Sequence, residues 1–139
     1  MKRVGVLIFT ACALFSASAS AQSTKPPVPA TASAAAKMPA GDAVAGKTYF
    51  GKVCAMCHGA TPSPVAPSLT GVFGRKAGTA TGPYKYSPAM IASGVTWDAP
   101  KLDAYLTAPT TMIKGSRMPI SVAKPADRAN LVAYLKTLK

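Results

Sequence analysis

Residues 54–58 read Cys54-Ala55-Met56-Cys57-His58. The chain has 139 residues but only three cysteines and one histidine. Two of the cysteines and the only histidine therefore fall in five consecutive positions. Cys54 and Cys57 are three apart, so on a helical turn both sulfurs project from one side. His58 follows directly. Such a cluster supports a metal clip, a redox disulfide or the covalent anchor of a cofactor, and the flanking sequence discriminates among them.

Toward the N-terminus, Lys2-Arg3 precede the apolar run Val4 to Phe15, and Ala19-Ser20-Ala21 offers a small-residue cleavage site. This is the pattern of a cleaved export signal over residues 1–21, with a second possible cut after Ala19. The run is shorter than the roughly 20 apolar residues a membrane span needs. Its alternative is an uncleaved anchor that tethers the domain. Cys12 lies in a poor context for lipid attachment and reads as a small apolar residue of the signal. Cleavage leaves Cys54 and Cys57 as the only cysteines, in an oxidising compartment, the bacterial periplasm. Residues 22–40 are rich in Pro, Ala, Ser and Thr without apolar periodicity, and read as a disordered linker. The domain is then residues 41–139.

The chain carries 16 Lys+Arg against 4 Asp+Glu, a formal charge of +12. No basic run exceeds a dipeptide and no aromatic-studded basic stripe appears, which argues against nucleic acid. Acidic protein surfaces fit better.

Within the domain, Asp42 is placed to cap a helix running through Val44, Tyr49, Phe50 and Val53 into Cys54. Residues 59–81 read as loop. Pro88 to Ser93 reads as a short helix stopped by Gly94. Leu102, Tyr105 and Leu106 mark another over residues 100–107, and residues 110–121 read as irregular. Pro125 opens a last helix with Leu131, Val132, Leu135 and Leu138 on one face. No stretch alternates with period two. The fold class is all-α, about five short helices and long loops. Such a domain has a thin apolar core and calls for a staple.

Structural zinc wants four Cys or His ligands, one more than the exported chain offers. A thioredoxin-like pair needs a βαβ setting, and a disulfide across so small a loop constrains little. The remaining reading is a c-type haem attachment: Cys54 and Cys57 add to the two vinyl groups and His58 binds iron. A sixth ligand cannot be a second histidine from this chain, and methionine is the natural candidate. Met38 is in the linker, Met56 lies in the attachment turn, and Met90 fits a helix core. Met112 and Met118 share the irregular stretch. Met118, between Gly115-Ser116-Arg117 and Pro119, is the better placed, with Met112 as its rival.

The segments CAMCH, APSLTGVFGRKAG (66–78), YKYS (84–87), SGVTWD (93–98), LDAYLTAP (102–109), GSRMP (115–119) and NLVAYLKTL (130–138) resemble a class I cytochrome c of the mitochondrial and bacterial c2 branch. The resemblance covers the domain and implies the cytochrome c fold around one haem c. It implies His58 and Met118 as iron ligands and the Pro67 carbonyl as acceptor of the His58 Nδ1–H bond. It sets Arg75, Tyr84, Tyr86, Trp97 and Ser116 around the haem propionates and Tyr105 near the Met118 sulfur. It brings Gly46 and Phe50 against the last helix near Tyr134 and Leu131. In place of the family's common Pro-Gly and Thr-Lys-Met, the ligand loop here reads Lys114-Gly115-Ser116-Arg117-Met118.

With both axial positions filled, the iron exchanges single electrons and is closed to oxygen and peroxide. The expected function is thus a soluble periplasmic electron carrier, not an enzyme. It acts as a monomer in the respiratory chain, docking on acidic surfaces of an oxidase, reductase or dehydrogenase. Lys52, Lys114, Arg117 and Lys124 flank the attachment and ligand segments and are placed to ring the haem edge. A membrane contact arises only through partners or an uncleaved anchor. The alternatives are that tethered carrier and a haem enzyme with a displaceable Met118.

Overall fold

A computed structural model describes residues 39–139. The expected export signal (1–21), and the expected linker (22–40) except for its last two residues, lie outside the described residues. Five helices follow one another: α1 (Ala43–Val53), α2 (Pro88–Ala92), α3 (Ala99–Thr107), α4 (Pro109–Met112) and α5 (Pro125–Leu135). Among the described residues the only β pairing is one antiparallel bridge, Lys76 to Thr96.

Helix α1 starts where Asp42 accepts hydrogen bonds from the Val44 and Ala45 amides at 2.7 and 3.3 Å, satisfying donors that the first turn leaves orphaned. The Asp42 amide in turn donates to Asn130 Oδ1 at 2.8 Å, which joins the start of α1 to α5. The two helices make the most extensive helix contact in the domain. Gly46 sits at their closest approach: a Cβ built there would overlap the Asn130 carbonyl and lie 2.9 Å from Tyr134 Cβ. One turn on, the Phe50 ring packs against Tyr134 with centroids 5.3 Å apart and a tilt of 56°. The crossing fixes where α1 ends, and therefore where Cys54 begins.

Ser87 caps α2 by accepting from the Met90 amide at 3.2 Å, and Gly94 turns the chain away with φ +66°. Asp98 caps α3 by accepting from the Lys101 amide at 2.9 Å, and its other oxygen meets Lys101 Nζ at 2.9 Å. These bonds from Lys101 hold the carboxyl below the usual range. Leu102, Tyr105 and Leu106 are buried on one face of α3, as their spacing predicts.

The stretch read as irregular contains one helical turn. Pro109 at the first position opens α4, the Met112 amide donates to the Ala108 carbonyl at 2.9 Å, and the turn ends at an extended Ile113. Four residues are too few for an apolar period. In α5, Leu131, Val132 and Leu135 are buried, while Leu138 lies past the helix end. Its carbonyl accepts from the Gly71 amide at 2.7 Å, tying the C-terminus to the long loop.

A glycine contrast tests the crossing. Gly46→Ala should lower stability by about 1–3 kcal/mol through forced separation of α1 and α5. Gly51→Ala on the same helix, with nothing within 4 Å of its Cβ, should raise it by roughly 0.5–1 kcal/mol. Urea midpoints moving in opposite directions are the expected result.

Candidate functional site

The helix hydrogen-bond ladder runs past α1. The Cys54 and Ala55 amides both donate to the Phe50 carbonyl, and the His58 amide donates to the Cys54 carbonyl at 2.8 Å. The pentapeptide is therefore wound as a turn on the end of a fixed helix. No disulfide joins Cys54, which is half-buried, to Cys57, which is exposed. Burial first, and then the neighbouring Cys57, pushes the Cys54 thiol up. His58 Nδ1 lies 2.8 Å from the Pro67 carbonyl oxygen. That bond places the proton on Nδ1 and leaves Nε2 with a free lone pair.

Both cysteines and His58 open onto one large cavity, about 1370 Å³ counting its mouth. All eleven residues singled out in the sequence border it, and no Asp or Glu does. Eight of the twelve side chains in the buried cluster border it too: Val72, Met90, Trp97, Leu102, Tyr105, Leu106, Leu131 and Leu135. The core is thus largely a lining.

The methionines separate clearly. Met118 borders the cavity and is half-buried, whereas Met112 borders a different, shallow groove between α2 and α4 with Lys114. Met56 is 87% exposed, and Met90 is buried in the core cluster against the cavity wall. Beside Met118, Tyr105 Oη and Ser116 Oγ share a hydrogen bond of 2.6 Å, and the Met118 amide donates to Ser116 Oγ at 3.4 Å. Burial keeps the Tyr105 hydroxyl above its ordinary pKa, partly offset by the Ser116 bond.

On another wall, the Arg75 guanidinium donates to the Thr70 and Ser68 carbonyls at 2.6 and 2.8 Å. Backbone bonds around the bridge, from Trp97 to the Arg75 carbonyl (2.9 Å) and from Gly74 to the Trp97 carbonyl (2.7 Å), hold Trp97 beside it. Trp97 packs on Tyr105 at 4.9 Å with the rings tilted by 58°, and Tyr84 meets Tyr86 edge-on at 5.0 Å. The Ser116 hydroxyl, set near the propionates by the sequence reading, is engaged with Tyr105. Of the four flanking cations, Arg117 borders the cavity and donates to the Lys85 carbonyl at 2.9 Å, and Lys52, Lys114 and Lys124 are exposed.

The sequence reading missed Arg128. Its side chain is buried, bonded through Nε to Asp103 at 2.7 Å and through Nη1 to the Val122 and Ala123 carbonyls. The available signal was its place on the apolar face of α5, one turn before Leu131 and Val132.

Residues 43–139 match the family described as Cytochrome c. The chain belongs to that family. It is 48% identical over 101 residues to cytochrome c2 iso-2 of Magnetospirillum molischianum, covering 70% of this chain and 99% of the relative. It is 42% identical to cytochrome c of Guizotia abyssinica, over 73% of this chain and 94% of the relative. The solved cytochrome cH from Methylobacterium extorquens superposes with a TM-score of 0.65 at 38% identity, over 70% of this chain and 99% of that one. The helical fold is the cytochrome c fold, and the protein is an electron-transfer protein rather than an enzyme.

Family membership implies a covalently bound haem c. The residues present fit it: two unbonded thiols at the mouth, an imidazole with Nε2 free, and a broad apolar lining. No group of three His, Cys, Asp or Glu side chains converges as a metal clip would require among the described residues.

Removal of the attachment thiols tests whether the group also completes the core. A Cys54→Ala, Cys57→Ala double variant should lack haem, near-ultraviolet circular dichroism and cooperative unfolding. A haem-free variant that unfolds cooperatively near the wild-type midpoint would contradict this.

Proposed function

We propose that this protein is a soluble single-haem carrier of the bacterial periplasm, freed by cleavage after Ala21, with His58 and Met118 as the side chains that would bind its iron. One observation carries the ligand assignment. A histidine from the turn after α1 and a methionine from the loop before α5 border one cavity, and the Pro67 bond leaves His58 Nε2 as its free donor.

When bound, haem c supplies a one-electron iron couple, and a methionine ligand raises its potential. The chain's part is to hold and shield. Cys54 and Cys57 would fasten the group to the end of α1, and the Pro67 carbonyl keeps the His58 ring in one tautomer. Arg75, Tyr84, Tyr86 and Trp97 form a donor-rich wall for the propionates. Arg75 spends only part of its five N–H donors on the Ser68 and Thr70 carbonyls.

The partners are acidic surfaces of an oxidase, reductase or dehydrogenase. Little on the domain opposes such docking. Asp42 and Asp98 cap helices, Asp103 is paired with Arg128, and Asp127 sits in the favourable first turn of α5. Lys52, Lys114, Arg117 and Lys124 are left to steer encounter, with on-rates that fall as salt rises. No helix among the described residues is long and apolar enough to cross a membrane. The tethered alternative turns on residues 1–21: a mature N-terminus at Gln22 supports a free carrier, and retained Met1 contradicts it.

The oxidised holoprotein should show a low-spin c-type spectrum with the weak far-red Fe(III)–S band. Met118→Ala should abolish that band and lower the midpoint potential, and Met112→Ala should keep both. A high-spin wild-type spectrum with ready carbon monoxide binding would overturn the ligand pair.

A further inference from the structure

Between Ser116 and Val122 the chain carries Met118 across the cavity with little support of its own. Among the described residues no backbone–backbone hydrogen bond involves residues 117–121, and Pro119 has no amide to give. Inside the span, Arg117 Nη1 donates to the Lys85 carbonyl at 2.9 Å and the Met118 amide to Ser116 Oγ at 3.4 Å; its two ends are both tied to α3. At the first, Tyr105 of α3 bonds to Ser116 at 2.6 Å. At the second, the Val122 amide donates to the Leu106 carbonyl at 2.7 Å. Arg128 then donates through Nη1 to the Val122 and Ala123 carbonyls at 2.9 and 2.8 Å, and through Nε to Asp103 of α3 at 2.7 Å.

Arg128 is one of two buried polar or charged residues in the described domain, at 8% exposure. It does not border the cavity. A buried guanidinium is costly unless paired, and here three acceptors from two segments surround it. Its planar fork reaches the carboxylate and both carbonyls together, which a lysine cannot reproduce.

We propose that Arg128 is a positioning residue for Met118: it fastens the C-terminal end of the 116–123 span to α3, as Tyr105 fastens the other end, and so fixes the thioether at the cavity. This rests on the reading of Met118 as an iron ligand. An external ligand can bind there only in the fraction of molecules whose Met118 has swung away, so its apparent affinity reports that fraction. Loosening one end of the span raises it.

The test is imidazole binding to the oxidised, haem-loaded full-length protein, followed by the visible spectrum. Arg128→Gln should raise the apparent affinity about tenfold. Asp103→Asn, a milder lesion of the same clamp, should shift it the same way by a smaller factor and serves if Arg128→Gln does not fold. Arg128→Lys should recover only part of the wild-type behaviour. Tyr134→Leu is the stability control: it loosens the α1–α5 packing on Phe50 without touching the span, and should leave the affinity unchanged. Unchanged affinity in both clamp variants, or an equal rise in Tyr134→Leu, would overturn the positioning role. Met118→Ala binding imidazole no more tightly than wild type would overturn the ligand reading itself, and this proposal with it.

Discussion

The apolar residues of this domain surround a space rather than fill it. Most of the buried cluster faces the cavity, and the largest side chains enclosed to under 2% exposure are only Leu131 and Val122. A lining that faces a cavity leaves much of its apolar surface without protein partners. A large flat apolar group is therefore part of the core as much as it is the redox centre. The lining is largely apolar, which suits a site meant to change charge by one electron with little rearrangement.

Two helix contacts then determine what faces that group. The α1–α5 crossing, drawn close by Gly46 and locked by Phe50 on Tyr134, delivers the attachment turn and His58. Helix α3 delivers the other side, since it holds both ends of the span bearing Met118. The two proposed ligands are sixty positions apart in sequence and are set by different packing interfaces. Helix α5 takes part in both, through Tyr134 on one side and Arg128 on the other.

Much of this was legible in the chain. CAMCH pointed to the attachment chemistry, Asp42 announced the start of α1, and the Leu102–Tyr105–Leu106 spacing gave the buried face of α3. Other features had no local signal. The α4 turn is shorter than one apolar period. Met112 and Met118 have similar surroundings in sequence, and only the tertiary structure sends them to different cavities. Arg128 is the exception: its place on the apolar face of α5 was a signal, but its partners, Asp103 and the Val122 and Ala123 carbonyls, come together only through folding.

The most direct measurement is a proton NMR spectrum of the reduced, haem-loaded protein beside Met118→Ala. A methionine bound to iron holds its methyl over the face of the ring, where the ring current moves the resonance far upfield. The expected result is one three-proton signal well upfield of the main envelope, absent from Met118→Ala and present in Met112→Ala. Loss of that signal in Met112→Ala instead, or its absence from the wild type, would contradict a haem held between His58 and Met118.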